Sequence, residues 1–88
     1  MQKKIAQEVV DMVEKCIVQM SDLIPLVEKH CSAEEIRAFR RGIGFTISEI
    51  QDRIADPIYR EHMDLIPKDV DYVPLPGPTL AEIGGEDG

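Results

Sequence analysis

No tryptophan occurs in the 88 residues, and two Tyr and two Phe are the only aromatic residues. A core must therefore be assembled from Ile, Val, Leu and Met, which pack helices well and carry little chemistry of their own. Cysteine is almost as scarce. Cys16 and Cys31 lie on one predicted helix, about 22 Å apart at 1.5 Å per residue, which is far outside disulfide reach and predicts two free thiols. Long apolar runs are missing too. Glu8 and Asp11 arrive before any stretch of signal-peptide length, and nothing approaches the roughly 18 apolar residues of a membrane span, so the expectation is a soluble, cytoplasmic protein without membrane contact.

Positive charge is the fourth deficit. Ten Lys and Arg against 17 Asp and Glu give a net charge of −7, which argues against nucleic acid and suits a basic protein partner. More than half of that charge sits in residues 67–88, where Lys68 faces Asp69, Asp71, Glu82, Glu86 and Asp87.

What is present is helical periodicity. From Ile5 the apolar positions recur at Val9, Met12, Val13, Cys16, Ile17, Met20, Leu23, Ile24, Val27 and Cys31, steps of three and four that predict a helix over residues 3–30. Pro25 cannot donate to the Ser21 carbonyl and predicts a bend, with Ser21 or Asp22 placed to cap a fresh start. Ser32-Ala-Glu-Glu35 is a capping box, so a second helix starts at Ala33 and carries the stripe Ile36, Phe39, Ile43, Ile47, Ile50 and Ile54. With a connector as short as His30–Ser32, the two helices are expected to fold back as an antiparallel hairpin. Asp56-Pro57 predicts the start of a short third helix through about Leu65, in line with the second or at an angle to it, and Asp56 and Arg60 are spaced as an i,i+4 pair on it. Residues 67–88 hold four of the six Pro and four of the six Gly, which predicts an extended acidic arm, loose from Gly84 to Gly88. The predicted organisation is a helical hairpin domain over 1–66 and an arm over 67–88.

Two faces are more apolar than one hairpin can use. At 100° per residue the apolar set of helix 1 spans an arc of about 160°, whereas one neighbouring helix covers roughly 100°. A chain this small buries only about 60–65% of its unfolded surface, so the excess predicts a second copy and an all-α homodimeric four-helix bundle. On helix 2, Ala38, Gly42, Phe45 and Thr46 fall mostly away from the isoleucine stripe, and Gly42 and Gly44 each cost a helix interior about 1 kcal/mol relative to Ala. Those four, with Tyr59 and Tyr72, are the candidate interface residues.

Nothing in the sequence builds a catalytic, cofactor or metal site. Cys16, His30 and Cys31 match no zinc spacing, and structural thiols with a His at a helix C-terminus account for them. Gly42-Ile-Gly44 lies inside a helical stripe with no strand before it, which excludes a phosphate loop. Lys29, Arg37, Arg40 and Arg41 are interleaved with Glu28, Glu34 and Glu35, as on a salt-bridged solvent face. Tyr59, Arg60, Glu61, His62 and Asp64 could do acid–base work, but a hairpin of this size encloses nothing around them. Pro74-Leu-Pro76-Gly-Pro78 reads as a stiff spacer.

The stretch Ile54-Ala-Asp-Pro-Ile-Tyr-Arg-Glu-His-Met-Asp-Leu-Ile-Pro67 resembles the end of small uncharacterised bacterial proteins. In those, a helical hairpin closes with Pro-Ile/Leu-Tyr-Arg-Glu-His-x-Asp-Leu and a Pro-rich tail. The resemblance implies a helical fold and a bacterial source and transfers no functional residue. In size and acidity the chain is also similar to bacterial toxin-immunity proteins, without a shared motif. The expectation is a non-enzymatic, acidic protein-binding module, with an immunity- or antitoxin-like inhibitor of a basic partner as its most specific form. A scaffold or regulatory adaptor is the alternative, and a small enzyme or ligand-binding protein with a site at the dimer seam around Tyr59 and His62 is the more distant one.

Overall fold

A computed structural model describes residues 1–86. These residues are all-helical, with no strand among them. Helix α1 (Lys3–Ser21) and helix α2 (Leu23–His30) meet at Asp22. Helix α3 (Ala33–Ile50) runs through a π turn (Gln51–Ala55) into α4 (Asp56–Glu61), followed by a 3₁₀ turn (Met63–Leu65) and, after an extended stretch, α5 (Leu80–Glu86).

The α1–α2 junction is the bend that Pro25 predicts. Asp22 keeps helical φ but relaxes to ψ −14°, and its N–H still reaches the Val18 carbonyl at 3.0 Å. No side chain caps α2, so neither Ser21 nor Asp22 takes the capping role that the sequence suggests. At Ser32 the local code holds. The Glu35 amide donates to the Ser32 hydroxyl at 3.2 Å and the Ser32 amide donates to the Glu35 carboxylate at 3.0 Å.

α4 begins at Asp56, as the Asp-Pro pair predicts, but in line with α3 and without a break between them, and it ends at Glu61 rather than near Leu65. Asp56 has α-helical angles, φ −58° and ψ −47°, and its amide donates five residues back to the Gln51 carbonyl. Proline in a helix interior clashes with the carbonyl four residues earlier, and the wider π turn just before Pro57 accommodates the ring. Residues 33–61 thus form one unbroken rod, with Asp56 inside it and unable to act as a cap.

The arm is extended only as far as Thr79. The Thr79 amide donates to the Glu82 carboxylate at 3.1 Å and the Glu82 amide to the Thr79 hydroxyl at 3.4 Å, a second capping box that starts α5. Gly84 and Gly85, expected to be loose, lie within that helix, while Asp87 and Gly88 lie outside the described residues.

The buried apolar residues are Ala6, Val10, Ala55 and Ile58 together with Pro57 and Pro74, and Val9, Tyr59, Leu65 and Leu80 pack against the cluster of Ala6, Val10 and Ile58. One end of the molecule is therefore closed, where α1, α4 and the arm meet. The other end is open: α3 packs on α2 and α1, yet neither α2 nor α3 contains a buried residue. The predicted stripe Ile36, Phe39, Ile43, Ile47 and Ile50 is only half-buried, and Ile54 is exposed.

Candidate interaction surfaces

At the closed end four polar residues, Arg60 and Glu61 at the end of α4 and His62 and Asp64 just after it, are engaged with remote parts of the chain. Arg60 donates through Nε to the Leu75 carbonyl at 2.6 Å and through Nη1 to the Pro78 carbonyl at 3.2 Å. Glu61 receives the N-terminal ammonium at 3.2 Å, the His62 ring lies 2.8 Å from the Met1 carbonyl, and Asp64 pairs with Lys3. The Lys3 contact holds the Asp64 carboxyl below the ordinary aspartate range. Arg60 therefore does not form the expected pair with Asp56. Two carbonyls of the arm, 15 and 18 residues on, take its fork instead.

Asp56 is 6% exposed, the one buried charged residue among those described. Its Oδ1 accepts from the Gln51 side-chain Nε2 at 3.2 Å and from the Tyr72 hydroxyl. The Tyr72 ring meets Tyr59 edge-on, with centroids 5.7 Å apart and an interplanar angle of 67°. Burial pushes the Tyr59 phenol above its ordinary range, and the nearby Glu14 and Asp11 carboxylates push it further. Beside the tyrosine pair, α1, the π turn and the arm enclose a groove of about 320 Å³, lined by Val13, Ile17, Gln51, Val70 and both rings.

The candidate interface residues thus divide into two groups. Tyr59 and Tyr72 are in contact and half-buried at the closed end. Ala38, Gly42, Phe45 and Thr46 share an exposed face of α3, with Phe45 at 67% exposure. Along the rod, Phe45 and Tyr59 are about 20 Å apart. A Cβ built on Gly42 or Gly44 would meet nothing within 4 Å, so among the described residues no other element packs against the open side of those glycines. The Thr46 hydroxyl is spent on the Gly42 carbonyl at 2.8 Å. The basic cluster is partly neutralised, since Arg40 pairs with Glu28.

Sequence reasoning missed two functions of the arm. The Asp56 acceptor site carries no local signal, because its donor Tyr72 is sixteen residues away across a turn. The Thr79–Glu82 box did carry one, in the same pattern that reveals Ser32–Glu35, but it lies among prolines and glycines. Among the described residues no helix is long and apolar enough to cross a membrane, and no three His, Cys, Asp or Glu side chains cluster as metal ligands. No protein-family model matches this chain, nor does any curated protein or solved structure.

Proposed function

We propose that this chain is a non-enzymatic, acidic protein-binding module in which two helical hairpins pair as a homodimeric four-helix bundle, and that its heterologous partner is a basic protein, as for an immunity- or antitoxin-like inhibitor. The observation that carries the reading is surface. A folded monomer of 9.9 kDa exposes about 5,200 Å² by size scaling, whereas this chain exposes 6583 Å². The excess, roughly 1,400 Å², exceeds the ~800 Å² that each partner contributes to a standard interface. The radius of gyration agrees: 15.7 Å against about 12 Å for a compact chain of this length.

A non-enzymatic role is supported by the way the acid–base groups at the end of α4 and in the turn after it are occupied. Arg60, Glu61, His62 and Asp64 hold the arm and the N-terminal segment in place, which leaves catalysis little free chemistry there. For the basic partner the support is the net charge of −7 together with the exposed Phe45 face. Aromatic anchors of that kind carry a large share of binding energy at interfaces.

Sedimentation equilibrium at micromolar concentration tests the pairing: a mass near twice 9.9 kDa is expected, and a clean 9.9 kDa monomer with a cooperative melt refutes it. Co-expression with the product of the adjacent gene tests the partner. A basic protein that co-purifies at low salt, is released as salt rises, and is lost with Phe45→Glu supports the inhibitor reading. A neutral partner held through apolar contacts favours a scaffold or adaptor.

A further inference from the structure

α1 carries two apolar stripes, the second of which runs on into α2, and only one is used within the chain. The inner stripe, Ala6, Val10, Val13, Ile17 and Met20, is buried or half-buried. Beside it runs a second stripe with coiled-coil spacing: Ile5, Val9, Met12, Cys16, Leu23 and Leu26, at alternating steps of four and three about the polar Gln19. Val9 is half-buried and shared between the stripes, but the others face solvent, with Ile5 at 44%, Met12 at 66%, Leu23 at 43% and Leu26 at 55% exposure and Cys16 also exposed. The stripe covers about 32 Å of helix and continues in step past the bend at Asp22.

We infer that this stripe is the seam on which a second copy of the chain docks, with α1 lying parallel to α1. The inference rests on the self-pairing proposed above and adds its surface and register. A second copy is the fitting occupant because the chain's excess surface is large enough for one side of a dimer, and because a heptad stripe is complementary to itself.

Charge selects the direction. The residues flanking the seam on its outer side are Glu8, Lys15 and Asp22. Antiparallel pairing over the full stripe sets Glu8 against Asp22 and Lys15 against Lys15, like charges throughout. Parallel pairing avoids those contacts and sets Gln19 against Gln19, where two side-chain amides can bond each other, a device that specifies register. It also sets Cys16 beside Cys16, at a layer where the Cα separation suits a disulfide. The Phe45 face of α3 is left free for the heterologous partner.

Sedimentation equilibrium of the full chain, with Met12→Glu and Phe45→Glu variants, tests the seam. Diamide oxidation of a Cys31→Ser variant, in which Cys16 is the sole thiol, tests the register. The expected results are a dimeric parent, at least a tenfold weaker Met12→Glu association with helicity retained, an unchanged Phe45→Glu dimer, and rapid conversion of Cys31→Ser to a covalent dimer. Met12 is exposed, so its substitution leaves the monomer core alone; should that variant unfold nonetheless, the crosslink still decides. A monomeric parent overturns both this inference and the proposed function. A dimeric parent with a fully dimeric Met12→Glu variant overturns the seam alone, and dissociation of Met12→Glu without a Cys16 crosslink overturns the parallel register.

Discussion

Removing one oxygen atom at Tyr72 isolates the polar contact that ties the arm to the rod. In Tyr72→Phe the ring keeps its edge-on contact with Tyr59, so the apolar packing is unchanged. What is lost is one of the two donors to Asp56, a carboxylate only 6% exposed, which is left with the Gln51 side-chain Nε2 at 3.2 Å. A hydrogen bond to a charged acceptor contributes about 1.5–3 kcal/mol. The total stability of a chain this size is on the order of 4–13 kcal/mol, so the loss is a large fraction of it. Thermal unfolding followed by far-UV circular dichroism is expected to show a midpoint lowered by roughly 6–24 °C, at 4–8 °C per kcal/mol for a domain in this size range. A urea melt is expected to move in midpoint with its slope preserved. Asp56→Asn in the Tyr72→Phe background is expected to cost less than in the parent, because the two residues share one interaction. A Tyr72→Phe protein within about 0.5 kcal/mol of the parent would refute the assignment of Asp56 as a buried acceptor that needs both donors.

Three further outcomes follow from the closed end. Ile58→Ala, at a residue 1% exposed among Ala6 and Val10, is expected to cost about 2–5 kcal/mol in a urea melt. Gly77→Ala places a methyl 2.8 Å from the Arg60 guanidinium carbon and is expected to speed limited proteolysis within residues 67–79. That effect shrinks in an Arg60→Ala background, where the clash is gone. The capping box at Thr79 holds the Glu82 carboxyl below its ordinary value of 4.5, through the Thr79 amide first and its hydroxyl second. Its stabilising contribution is therefore complete above pH 4.5 and is lost as pH falls through the lowered value, so proteolysis of the arm is expected to rise in that acid window and to lose its pH dependence in Glu82→Gln.

The elements legible in the sequence are those whose cause is local. The Ser32–Glu35 box closes within four residues, and the apolar period of α1 and α3 repeats every turn, so both are visible without knowing the fold. Pro25 names its own missing hydrogen bond, which places the bend within a turn. Asp56 shows the opposite case. Before a proline it has the signature of a helix cap, but the π turn carries the rod past it and buries it, and the donor that makes burial tolerable is Tyr72, supplied by a different segment. Arg60 was legible as a charge on a helix and illegible as a clamp, because its acceptors are backbone carbonyls, which every residue has. The α5 helix is different again: Thr79 and Glu82 announced it, and composition outweighed them, since four prolines in the arm argue against helix while none of them falls inside Leu80–Glu86. The exposure of Phe45 could be read from its angular distance from the isoleucine stripe.

The two ends of the molecule hold together by different means, and that difference has a thermodynamic consequence. At the closed end, buried Ala6, Val10, Ala55 and Ile58 and the Arg60 and Asp56 contacts lie within a single chain, so their stability is independent of protein concentration. At the open end α2 and α3 rely on a capping box, the Arg40–Glu28 pair and a stripe of half-buried isoleucines, all of them partly exposed to water. Exposed ion pairs contribute about 0–1 kcal/mol and a cap about 1 kcal/mol, so the open end is the part expected to open first. If pairing along α1 and α2 covers that end, dilution should weaken it selectively, because a contact made only by the dimer stabilises in proportion to the logarithm of concentration. Hydrogen exchange across a hundredfold range of protein concentration is the measurement. Amide protection in α2 and the first half of α3 is expected to rise with concentration while that around Ala55–Ile58 stays level at short exchange times. Uniform protection at both ends, unchanged by dilution, would mean that the open end is held by the chain's own contacts and that a second copy has no part in it.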